Sequence, residues 1–335
     1  MLIFIICYLL IFFLAAIIKS KKLYCFLICI ILTLVAGLRH ETLGSFDTQY
    51  VYLRSLKAID AGGLDYVLTM KDIGFQMITY AFTLIFGVNE PLYLILISAP
   101  YFMAISYIIY KYSKYPMVSY IVFFSLHYFE ISFTMIRQIT AMAIICIAFK
   151  YIVEKKPIKF LICVICTSFI HETALIFILA YPISKLKFNK RYVFITLSFI
   201  MLILAIPNKI NNILFSIVSN NERWYRYQEI GKSKNLTLFY LCAMFTLMAM
   251  IYYKKLKEDK INIILIHMSV LATIFAPMVL VLGEFSRICY FFGVFNIILF
   301  PNIIDSEPNK KLKYIIVTLS CVIFICYFLV FLGPD

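Results

Sequence analysis

Between Arg39 and Arg54 the chain sets Arg39, His40, Glu41, Asp47, Tyr50, Tyr52 and Arg54 within one short stretch, GLRHETLGSFDTQYVYLRSL. Carboxylates beside guanidinium groups are the components of base catalysis next to an anionic leaving group. A carboxylate in such a stretch can take a proton, and a guanidinium can hold a departing charge. The same stretch also reads as a polar loop whose surface ion pairs contribute little. Arg137 stands in EISFTMIRQITAMAII, at the mouth of an apolar run. There a charge marks function unless it snorkels to the interface. Arg287 lies in LGEFSRICYFF between two apolar runs, with Glu284 before it and Tyr290 after it. His171, in SFIHETAL, either lines a cavity or satisfies a carbonyl. A later stretch, NERWYRYQEIGKSKN, gathers Trp224, Tyr225, Arg226 and Tyr227. Aromatic faces with interleaved hydrogen-bonding groups suit sugar rings, and Trp and Tyr equally anchor a membrane interface.

The elements that must position these residues are apolar helices. Hydrophobic residues make up 64% of the chain and charged ones 14%, against roughly 45–50% and 25% in soluble domains. A backbone crossing lipid must satisfy its own hydrogen bonds, so long apolar runs are helices. Runs near 2–18, 23–38, 91–110, 116–135, 138–153, 192–206, 237–253, 261–282, 288–304 and 314–332 predict about ten full spans, each needing ~20 residues. The expected fold is all-α, a polytopic membrane helical bundle forming one integral domain over 1–335, with outer loops near 39–90 and 207–236. The run at 2–18 has no basic segment before it and ends in Lys19, Lys21 and Lys22, so it reads as a first span with its N terminus outside. The net charge of +14 fits basic cytoplasmic loops rather than a nucleic-acid partner. Most cysteines fall inside apolar runs and read as small buried hydrophobes. Cys163 and Cys166 form a lone Cys-x-x-Cys with no second ligand pair, so neither a metal nor a cofactor is expected.

Basic residues also fix a topology. Lysines cluster at 19–22, 111–115, 154–159, 185–191, 254–260 and 305–313, and the positive-inside bias puts these breaks in the cytoplasm. Two segments then resist a simple crossing. Residues 160–184 have cytoplasmic clusters on both sides but are too short for two full helices, which take roughly 35–40 residues. They read as a re-entrant hairpin or two half-helices with His171, Glu172 and Thr173 at the turn. Residues 73–88 have both ends outside and read as a juxtamembrane helix. The alternative for both is one full span with an inverted loop. Arg39, Arg54, Arg137, Arg223, Arg226 and Arg287 fall outside on this topology, and only Arg191 falls inside. A bias that treats Lys and Arg alike does not produce that split. Planar, bidentate recognition of phosphate or carboxylate does.

Four segments carry a resemblance to a known family. GLRHETLGSFDTQY resembles the Arg-Gly-Asp-Tyr signature of the EpsG family, which holds Wzy-like oligosaccharide repeat-unit polymerases. MIRQITAMAIICIAFKYI resembles the family's Ile-Arg-Gln helix. SFIHETALIFILAYPIS and FSRICYFFGVFNIILFP resemble its histidine segment and its late Arg-x-x-Tyr span. Gly44 to Asp47 is one residue longer than the usual Gly-x-Asp, and Ile170 and Glu172 replace a common Phe and Lys.

The resemblance implies a GT-C-like, lipid-linked glycosyltransferase, with an acidic first outer loop, juxtamembrane helices and shortened helices beyond. It implies an undecaprenyl-pyrophosphate-linked glycan donor and acceptor in the bilayer. The active site would face the periplasm from the bacterial inner membrane, with room for a chain-length regulator as partner. Asp47 would be the base, with Glu41 as second choice. Arg39, Arg137 and Arg287 would hold pyrophosphate, and His171 would line the same cavity. Tyr50, Trp224, Tyr225, Arg226, Tyr227 and Tyr290 would contact glycan. A polysaccharide flippase or exporter also needs arginines but no carboxylate beside them. An O-antigen ligase differs from a polymerase in its acceptor.

Overall fold

The apolar runs fold as helices, and no strand occurs among the described residues. A computed structural model describes residues 2–39, 47–218 and 235–331. The elements fall into two units, residues 1–175 with 307–335, and residues 176–306.

In the first unit, α1 (Leu2–Ile17), α2 (Lys21–Gly37), α3 (Arg54–Thr69), α4 (Ile73–Phe86) and α5 (Glu90–Tyr112) are followed by α6 (Pro116–Ser125), α7 (Ile131–Thr134), α8 (Ile136–Val153) and α9 (Pro157–Ser168). Local chemistry sets the helix starts. Ser20 and Asn89 accept from the backbone amides of Leu23 and Leu92 at 3.4 and 3.2 Å, supplying acceptors to otherwise orphaned N–H groups. Pro116 and Pro157 open α6 and α9, where a missing N–H costs nothing. α5 packs against both α2 and α8, and α8 against α9. Gly37 lets the end of α2 close on α5, since a Cβ there would stand 2.2 Å from Ile95 Cγ1. That contact fixes the helix end immediately before Arg39. Phe4, Phe124, Phe129, Phe133 and Phe328 form an aromatic core beside it, with centroids 4.6–6.1 Å apart.

In the second unit, α10 (Ala180–Ile183), α11 (Lys190–Ala205), α12 (Pro207–Val218), α13 (Thr237–Ile251), α14 (Tyr253–Leu256), α15 (Lys260–Phe275), α16 (Ser286–Gly293) and α17 (Asn296–Asp305) occur in order. The buried α15 holds its neighbours through polar contacts. Asn302 Nδ2 donates to Asn262 Oδ1 at 2.8 Å, and Thr246 Oγ1 lies 2.9 Å from Ser269 Oγ. α18 (Lys310–Phe331) returns to the first unit and packs on α6.

Among the described residues, four helices are long and apolar enough to cross a membrane: Glu90–Tyr112, Ile136–Val153, Lys260–Leu280 and Lys310–Val330. There are six if each of two bent pairs counts as one span. The expected count of about ten full spans is not confirmed. Helices lie in all ten apolar runs, but several fall short. At 1.5 Å per residue, the 16 residues of α1 extend only ~24 Å against a ~30 Å core. The run 116–135 is broken: α6 stops at Ser125, His127 takes a left-handed φ of 60°, and the helix restarts at Ile131. The stretch read as an outer loop from 207 begins as helix α12, bent 87° from α11.

The two segments singled out by their charges are the short, irregular ones. Residues 157–183 form α9, a 3₁₀ stretch (Glu172–Leu179) and α10, with His171 in the break. The 14 residues of α4 are bounded by left-handed backbone at Asp72 (φ 57°) and Gly87 (φ 61°).

Candidate functional site

The chain from Asp47 to Leu53 is a π-helix, an uncommon geometry that recurs at functional sites. Its wide turn buries Thr48, Tyr52 and Leu53, leaves Asp47 half-buried and turns Tyr50 outward at 50% exposure. Thr48 and Tyr52 each engage a different arginine.

Arg39 is buried at the end of α2. Its Nη1 donates to the Ala36 carbonyl, and its Nη2 to Thr48 Oγ1 and the Phe133 carbonyl at 3.3 and 3.2 Å. Thr48 Oγ1 also donates to the Phe133 carbonyl, and the Arg39 guanidinium lies 4.9 Å from the Phe133 ring centroid. All these acceptors are neutral. No carboxylate among the described residues pairs with Arg39, and its buried Nε has no acceptor. Burial pushes this guanidinium down to about 10, still protonated at neutral pH. A cation in that state gains from any anion that reaches it.

Arg137 is the second residue of α8, where the helix dipole opposes a positive charge. Asp72 compensates: Arg137 Nη1 donates to its carboxylate, and the two side chains are 32% and 10% exposed. The Arg137 backbone N–H also reaches Tyr52 Oη at 3.4 Å, and its guanidinium lies 6.0 Å from the Tyr52 ring centroid. Phe75 packs edge-on against that ring at 5.8 Å.

Asp72 is held in place by the start of α4. Its carbonyl accepts from the amides of Phe75 and Gln76 at 2.9 and 3.2 Å, and Ser55 donates to Gln76 Oε1 at 3.3 Å. The Gly74 amide donates to the Phe169 carbonyl at 2.9 Å. A Cβ at Gly74 would stand 2.8 Å from that oxygen, so glycine is required there. The start of α4 and the end of α9 therefore meet, and His171 follows two residues beyond the joint, half-buried.

Asp47 begins the π-helix, half-buried, and makes no hydrogen bond or ion pair with another described residue. Arg287 belongs to the second unit, where its Nε lies 2.8 Å from Glu284 Oε2, with Tyr290 half-buried one turn on. Glu41, Trp224, Tyr225, Arg226 and Tyr227 lie outside the described residues.

Sequence reasoning missed Thr48, Tyr52 and Asp72 as site components. Asp72 had one available signal, an acidic residue immediately before the apolar run of α4. The partners of Thr48 and Tyr52 depend on a π-helix that no periodicity announces.

Two guanidinium groups contacted by one π-helix, one oriented by a carboxylate and one held by neutral acceptors, with Asp47 at the start of that helix, supply cations for an anionic group and a carboxylate that can take a proton. No curated protein and no solved structure matches the chain. The model of the EpsG family matches residues 22–334. The chain belongs to the EpsG family, Wzy-like exopolysaccharide polymerases that act as glycosyltransferases on lipid-linked glycans within a membrane.

Proposed function

We propose that this protein joins undecaprenyl-pyrophosphate-linked oligosaccharide repeat units into surface polysaccharide on the outer face of the bacterial inner membrane. An acceptor hydroxyl attacks the anomeric carbon of the growing donor glycan. The bond from that carbon to the pyrophosphate oxygen breaks, undecaprenyl pyrophosphate leaves, and Asp47 takes the hydroxyl proton. The observation that supports this reading is the π-helix, which begins at Asp47 and runs through Thr48, which bonds Arg39, to Tyr52, which contacts Arg137.

The leaving group is already good, so the demands on the protein are alignment, proton removal and stabilisation of the pyrophosphate charge. Arg39 and Arg137 supply that charge in the first unit. His171 lines the cavity and Tyr50 contacts glycan, as do Trp224, Tyr225, Arg226, Tyr227 and Tyr290. Arg287 keeps its place as a third pyrophosphate ligand only if its substitution behaves like that of Arg137. Glu41 is the alternative base.

Deletion of the gene tests the reading. The expected outcome is surface glycan of at most one repeat unit, with attachment intact. Long glycan that accumulates unattached would identify a ligase. Loss of even single-repeat surface glycan would identify an exporter.

A further inference from the structure

The Asp72–Arg137 contact fixes how the Arg137 guanidinium is held. A guanidinium binds an oxyanion pair through a planar two-nitrogen fork, so its orientation decides what it can grip. Asp72 takes Nη1, and Tyr52 engages the same side chain. The Tyr52 ring and Tyr52 Oη steady the same residue at its guanidinium and its backbone amide. Asp72 itself is fixed on three sides. Its backbone is left-handed, its carbonyl caps α4, and the Gly74 amide two residues later is bonded to Phe169. Left-handed backbone at a residue other than glycine costs energy and persists where surrounding structure enforces it. Here that structure serves to place one carboxylate.

We propose that Asp72 is a positioning residue that, with Tyr52, holds the planar fork of Arg137 in one orientation toward two oxygens of a pyrophosphate. This rests on the reading of Arg137 as a pyrophosphate ligand. Asp72 does not touch the reacting atoms. It keeps the planar fork from rotating, so that loss of the carboxylate leaves the cation present but misdirected.

The test uses the full-length protein in liposomes supplied with lipid-linked repeat units, read as kcat/KM for polymer formation and as thermal melting. Asp72→Asn is the informative variant because asparagine tolerates left-handed backbone and so removes only the charge. It should lower kcat/KM on the order of 100-fold, the loss expected from misplacing a reacting geometry by ~1 Å, and Asp72→Glu should recover part of that loss. The exchange Asp72→Arg/Arg137→Asp restores opposite charges at the two positions, so it should melt above Asp72→Arg alone yet form no polymer. Polymer from the exchanged pair, or wild-type kcat/KM from Asp72→Asn, would overturn the positioning role. Arg137→Lys separates the two claims. If it is near wild type, the pyrophosphate reading of Arg137 fails. If it is impaired while Asp72→Asn is not, only the role of Asp72 fails.

Discussion

Arg39 and Arg137 flank the same π-helix but are neutralised in opposite ways. Arg137 is partly exposed and has an ion-pair partner, Asp72. Arg39 is buried and, among the described residues, has only neutral acceptors and none for its Nε. A charge left unpaired in a poorly solvated position is destabilising unless a ligand completes it. Arg39 therefore has the character of a binding group that costs stability, and Arg137 that of a group whose orientation has been fixed in advance.

The largest effects should come from breaking that contrast at Arg39. Arg39→Met should abolish polymer while leaving the melting temperature unchanged or raised, because it removes a desolvated cation. Arg39→Lys keeps the charge but not the fork and should lose roughly 10²–10³ in kcat, as for removal of one oxyanion donor. Polymer ladders from variants matched for membrane expression check both. If Arg39→Met lowered melting sharply, Arg39 would be a structural tie rather than a binding group.

Gly74→Ala should come next. The added Cβ meets the Phe169 carbonyl at 2.8 Å and must push α4 off α9, at ~1–3 kcal/mol of overpacking. Thermal melting would register it, and activity should fall because Asp72 moves with α4. Tyr52→Phe keeps the ring beneath Arg137 and loses one 3.4 Å contact, so about 0.5–1.5 kcal/mol is expected. Smallest should be Lys57→Ala. Its ion pair with Glu90 is formed at 2.7 Å but Lys57 is 63% exposed, and such pairs contribute at most ~1 kcal/mol. A large loss from Lys57→Ala would show that pairing distance, not burial, sets the energetics in this region.

Much of this arrangement was legible in the sequence, because it is written in charge and length. The lysine clusters singled out 73–88 and 160–184, and in the fold the first holds a 14-residue helix and the second is broken at His171. The polar stretch after α2 announced the site. Three features were not legible. Hydropathy over 116–135 is continuous, but His127 interrupts the helix through its backbone, which apolar composition does not encode. For the same reason apolar runs gave about ten spans, whereas helix lengths support four to six. Asp72 was passed over because its partner, Arg137, is distant in sequence. Only the joint at Gly74 and Phe169 brings the start of α4 to the end of α9.

The carboxylate of Asp47 is the centre of the proposed chemistry, and Asp47→Asn addresses it alone. The amide keeps the shape of the side chain, lacks a proton-accepting carboxylate and removes an anionic repulsion. Binding of the lipid-pyrophosphate donor and polymer formation should be measured on the same liposome preparation. Donor binding at or slightly above wild-type affinity with no polymer is the expected result. A full-length polymer ladder from Asp47→Asn would contradict the role of Asp47 as base and pass it to Glu41 or to no base at all.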